Sequence, residues 1–64
     1  MLSRETDDTK TKIMLAAFEL FGKNGFSGTS VREIAEKSGV NLAAINYHFQ
    51  NKENLFWEIM KATY

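Results

Sequence analysis

Hydrophobic residues fall along this chain in four short helical patterns, separated by stretches of glycine, asparagine and serine. The first pattern starts at Thr9 or Lys10. Ile13, Ala16, Ala17, Leu20 and Phe21 stand at i, i+3, i+4, i+7 and i+8, and Met14 and Phe18 widen the stripe. Gly22 and Gly25 are expected to end this helix, with Lys23-Asn24 in a loop and Phe26 turned inward over the open end of the core. Residues 1–8 are polar and without period, so they are expected to be a frayed leader to a domain over 9–64.

A second pattern follows at once. Ser30 and Glu33 have the spacing of a reciprocal capping box, in which each side chain bonds the other residue's amide. Thr29 is an equally acceptable cap. Val31, Ile34, Ala35 and Ser38 share one face, with Arg32, Glu33, Glu36 and Lys37 outward. Gly39 can end this helix in the left-handed conformation, and Asn41 can cap the next. The inward residues of that third helix are Ile45 and Phe49, which leaves Ala43, Ala44, Asn46, Tyr47 and His48 outward. After a break at Gln50-Asn51, Asn51 caps a fourth helix. Leu55, Phe56, Ile59, Met60 and Thr63 form its apolar face, with Trp57 on the flank. The expectation is an all-α fold: a small homeodomain-like bundle of about four helices, without strands, containing a helix-turn-helix at about residues 30–49.

That unit organises the rest. Two short helices joined by a turn of about three residues containing glycine are the arrangement that places a second helix in a DNA major groove. An outward face of small residues, an amide, a phenol and an imidazole makes a poor core surface and suits base edges and phosphates.

Composition narrows the field. A chain of 64 residues makes one domain at most and buries only ~60% of its unfolded surface. Zero net charge gives no long-range argument for nucleic acid. The distribution is uneven, however: Glu5, Asp7 and Asp8 lie in the leader, while Lys23, Arg32, Lys37 and Lys52 flank the helix pair. Without cysteine there is neither a disulfide framework nor a cysteine zinc site. No apolar run approaches a membrane span and no secretory pattern opens the chain, so the expectation is a cytoplasmic protein without membrane contact. The chain stops inside an unfinished helical pattern and is expected to be a piece of something longer, with 51–64 starting the helix that leads onward. No nucleophile–base pair, metal cluster or suitably spaced carboxylate pair marks an enzyme, and no cofactor is expected. Gly22, Gly25 and Gly28 follow a helix rather than a strand and lack phosphate-loop spacing.

Taken together, Gly25-Phe26, Thr29-Ser30-Val31, Ile34-Ala35, Ser38-Gly39-Val40, Tyr47-His48-Phe49 and Lys52-Glu53 resemble the N-terminal domain of TetR-type transcriptional regulators, over roughly residues 10–60. Each piece alone is weak; the set, in order and at the right spacing, is specific. The resemblance implies a ligand-responsive prokaryotic regulator, usually a repressor, that binds a palindromic double-stranded DNA operator as a homodimer. It implies further that a C-terminal domain, beyond these residues, makes the dimer and binds a small-molecule inducer. By position it implies DNA contacts from Thr29, Ser30 and Arg32, from Leu42, Ala43, Ala44, Asn46, Tyr47 and His48, and from Lys52. Position 44, often Thr in the family, is Ala here, and position 46, often Tyr, is Asn.

Each of these residues also has an ordinary reading. Lys52 is either a phosphate contact or a solvated lysine, although a cation in a first helical turn opposes the helix dipole and needs some other support. Tyr47 is a DNA contact or a half-packed amphipathic side chain. His48 bonds phosphate or is a structural imidazole. Asn46 pairs with adenine or reaches a phosphate, and Ala43 and Ala44 admit close approach to a thymine methyl or simply favour helix. Arg32 contacts DNA or pairs with Glu36 at i+4. Phe18, Phe21, Phe26, Phe49 and Phe56 are expected in the core. A protein-interaction bundle and a ligand-binding fragment are the competing function classes.

Overall fold

A computed structural model describes residues 2–63, with side chains described for residues 8–62. Among the described residues there are four helices and no strand: α1 (Leu2–Asn24), α2 (Val31–Ser38), α3 (Leu42–Phe49) and α4 (Lys52–Thr63). Helix α1 begins at Leu2 rather than at Thr9 or Lys10, taking in most of the expected leader. Helix formation needs no apolar stripe, and neither Gly nor Pro, the residues that interrupt helices most strongly, occurs before Gly22. The helix also continues through Gly22, Lys23 and Asn24, expected to be a break and a loop, and ends at Gly25, whose amide donates to the Phe21 carbonyl at 2.8 Å. Thr63 as part of the α4 apolar face, and the acids of Glu5 and Asp7, fall outside the described side chains; Tyr64 falls outside the described residues.

The core sits where α1 crosses the other three helices. Ile13, Ala16 and Ala17 of α1 meet Ile34 of α2, Ile45 and Phe49 of α3, and Leu55 and Ile59 of α4, all buried. Met14, Leu20, Phe21, Val31, Ala35 and Val40 pack around them. Each fully buried aliphatic side chain contributes roughly 1.5–3 kcal/mol of transfer free energy, so even a core this small defines how the helices meet. A second apolar cluster closes one end. Phe21, Phe26 and Phe56 form a triangle with ring centroids 5.2–5.6 Å apart, mostly edge-on, as aromatic quadrupoles prefer. Phe26 therefore turns inward as its position suggests.

Phe18 does not join the core: it is 55% exposed. It lies on the edge of the α1 stripe, and with Leu15 it lines an open apolar groove between α1 and α4 whose far wall is Ile59 and Ala62.

The connections are short and chemically specified. Between α1 and α2 the chain passes close to itself at Gly28, where a Cβ would run into the carbonyl oxygen of Asn24. Between α2 and α3 lies Gly39-Val40-Asn41. Gly39 has φ 75°, and the Val40 amide closes back on the Ala35 carbonyl at 3.2 Å, the Schellman pattern that only a residue at ease in left-handed space completes without strain. Between α3 and α4, Gln50 stands at φ 69° and ψ −50°, and the Asn51 amide donates to the Phe49 carbonyl at 2.7 Å. That is a γ-turn of the rarer, strained hand. It lets α4 start directly after α3, with Asn51 capping through its side chain to the Asn54 amide at 2.7 Å.

Candidate nucleic-acid interface

Helix α3 is anchored on one side and open on the other. Asn41 caps it, its side-chain oxygen accepting from the Ala44 amide at 2.9 Å. Ile45 and Phe49 are buried, as their four-residue spacing predicts. Ala43 and Tyr47 then point away from the core, Asn46 is exposed, and Leu42 is 39% exposed. Ala44 and His48 are half-buried flanks rather than fully outward residues. Tyr47 is 83% exposed, which removes the alternative of a half-packed ring. Its only ring partner among the described residues is His48, edge-on at 5.3 Å. Eight residues at about 1.5 Å each give a helix about 12 Å long, and a helix about 10–12 Å across matches a major groove of about 12 Å.

The start of α2 borders this face. Ser30 is the cap: its Oγ accepts from the Glu33 amide at 3.1 Å, and its own amide donates to Glu33 Oε1 at 2.9 Å. Ser30 is exposed, and while its oxygen accepts this bond its hydroxyl proton remains available as a donor. Arg32 is exposed, and among the described residues it forms no ion pair with Glu36.

Two of the expected contact residues are engaged inside the fold instead. Thr29 is 2% exposed, and its hydroxyl shares its single proton between the carbonyls of Leu20 at 3.0 Å and Gly25 at 2.9 Å. Its side chain ties down the end of α1 and is turned into the fold. Lys52 is half-buried. Its ammonium donates to the carbonyls of Phe26 at 2.8 Å and Thr29 at 3.0 Å, and lies 4.3 Å from the Phe26 ring centroid. These partners supply the support that a lysine opposing the α4 dipole requires. They also mean that a free ammonium reaching for phosphate is not what the structure holds.

The electrostatics follow. Of the cations expected to flank the helix pair, Lys37 pairs with Glu19 of α1 at 3.0 Å and Lys52 is taken up by the loop. Lys23 and Arg32 carry no ion pair among the described residues. No grouping of His, Cys, Asp or Glu among the described residues could hold a metal, and no described helix is long and apolar enough to cross a membrane.

Residues 13–59 match the family model described as bacterial regulatory proteins, tetR family. The chain is 48% identical over 56 residues to the probable HTH-type transcriptional regulator YttP of Bacillus subtilis (strain 168), covering 88% of this chain and 27% of that protein. It is 47% identical over 51 residues to the HTH-type transcriptional regulator QacR of Staphylococcus aureus (strain Mu50), covering 80% of this chain and 27% of that one. Among solved structures, HlyIIR, a hemolysin II transcriptional regulator, superposes with a TM-score of 0.82 at 44% identity, covering 86% of this chain and 31% of that one. This chain thus spans under a third of the length of the relatives it matches, and each of them is named a transcriptional regulator, not an enzyme. The fold, the helix-turn-helix and the match across most of its length agree: this chain belongs to the TetR family of bacterial regulatory proteins.

Proposed function

We propose that this chain is the DNA-reading domain of a ligand-responsive transcriptional regulator, acting as a repressor on a palindromic operator. The observation that carries this is the outward face of α3, where Tyr47 is 83% exposed beside Ala43 and Asn46 while Ile45 and Phe49 fix the helix from behind. Ser30, Arg32, Tyr47 and His48 position the domain on phosphates, and Leu42, Ala43, Ala44 and Asn46 meet base edges. In the whole protein a homodimer places two such helices on two half-sites, and a small-molecule inducer acts from the rest of the chain.

A protein-interaction bundle would use the apolar groove between α1 and α4, and would leave the polar face of α3 unexplained. Binding that falls steeply as salt rises favours DNA over that alternative.

The test is site selection from a randomised duplex pool. Ala44→Thr and Asn46→Tyr should each change the preferred bases more than the overall affinity, since a good bidentate base contact discriminates by about 1–3 kcal/mol. Identical preferences for both variants and the original chain would remove these positions from the reading face.

A further inference from the structure

The least expected arrangement in the molecule is the one around Lys52. This lysine opens α4, yet its ammonium bonds two carbonyls of the loop that precedes α2, Phe26 at 2.8 Å and Thr29 at 3.0 Å, with the Phe26 ring closing a third side. The Thr29–Ser30 peptide group is therefore held at both ends. Its carbonyl accepts from Lys52, and its amide donates to Glu33 Oε1 at 2.9 Å. The Thr29 side chain ties the same point to the end of α1. Ser30, the residue on which these bonds converge, is the exposed cap of α2.

We infer that Lys52 is a positioning residue for DNA binding: it clasps the Phe26–Thr29 loop to the start of α4 and so fixes Ser30 and the α2 terminus, rather than contacting a phosphate itself. This rests on the DNA-reading role proposed above. The clasp makes the start of α4 and the start of α2 one rigid unit, although Ser30 and Lys52 stand 22 positions apart in sequence. A half-buried ammonium whose bonds go to loop carbonyls adds no phosphate neutralisation of its own when DNA binds. The salt dependence therefore distinguishes a clasp from a contact, because each neutralised phosphate adds about 0.9 to the slope of log affinity against log salt.

The experiment is fluorescence anisotropy with a labelled duplex selected on the original chain, at several salt concentrations, using Lys52→Met and Phe26→Leu. Thermal melts give the folded fraction, to which each affinity is normalised. Both variants are expected to bind roughly 2- to 30-fold more weakly per folded molecule, the range in which a displaced coupling element acts, with the salt slope unchanged. Phe26→Leu carries no charge and touches no reading-face residue, and it keeps the test decisive if Lys52→Met does not fold. A slope reduced by about 0.9 in Lys52→Met alone, with Phe26→Leu binding normally, would assign Lys52 to a phosphate. Full affinity per folded molecule in both variants would make the clasp a matter of stability only, and would also overturn the inference. If the original chain binds no duplex at any salt, the DNA-reading role fails first, and the clasp's role in it falls too.

Discussion

Two copies of this chain joined by a flexible linker should bind a palindromic duplex about 10²–10⁴ times more tightly than one copy does. One copy offers a single reading helix of eight residues on a body with extents of 35 × 27 × 17 Å. Half-sites lie about 34–36 Å apart, or a multiple of that, so one copy engages one half-site. Joining two copies makes the second encounter intramolecular, and no new contact is needed. The gain should vanish on a duplex carrying one half-site, and should fall when the linker is too short to span. Titration of single and joined chains against both duplexes measures it. Equal affinity of the two forms for the palindrome would mean that the two-headed arrangement is not how this domain reads DNA.

Thr29→Val is expected to destabilise the DNA-free domain by about 0.5–1.5 kcal/mol, because the isosteric methyl removes a hydrogen bond that two partly buried carbonyls share. The acceptors are the Leu20 and Gly25 carbonyls, and Thr29 itself is 2% exposed. In a domain this small the loss is large. A core below about 70–80 residues supplies little more than ~3–5 kcal/mol in all, and each kcal/mol moves the melting midpoint by roughly 4–8 °C. Thermal melts of the two forms decide the matter. An unchanged midpoint combined with weakened DNA binding would return Thr29 to the list of DNA contacts.

Thr29 also illustrates where reading the chain alone stops. Thr29 and Ser30 are equivalent as caps by local rules, and what separates them is an acceptor at Leu20, nine positions away and on another helix. Lys52 is the same case at longer range. Its place in a first turn signals that something must support it, but the supporting carbonyls lie 23 and 26 residues back. Features that depend on near neighbours came through: the Ser30–Glu33 box, the Asn41 and Asn51 caps, the turn at Gly39, and the inward pair Ile45 and Phe49. Phe18 misled because a stripe as wide as that of α1 exceeds what the three other helices cover, so its edge stays in solvent. The start of α1 misled because a polar segment can be helical without declaring a face. The outward face of α3 was legible largely by subtraction, once its inward residues were placed.

DNA is expected to meet this domain on the outward side of α3 and the start of α2. Amide chemical shifts followed through a titration with a selected duplex test it residue by residue. The largest changes should fall on Ser30, Arg32 and the run from Leu42 to His48, and should shrink as salt is raised. Changes centred on Leu15, Phe18 and Ile59, with α3 undisturbed, would place the binding surface in the α1–α4 groove and contradict the claim.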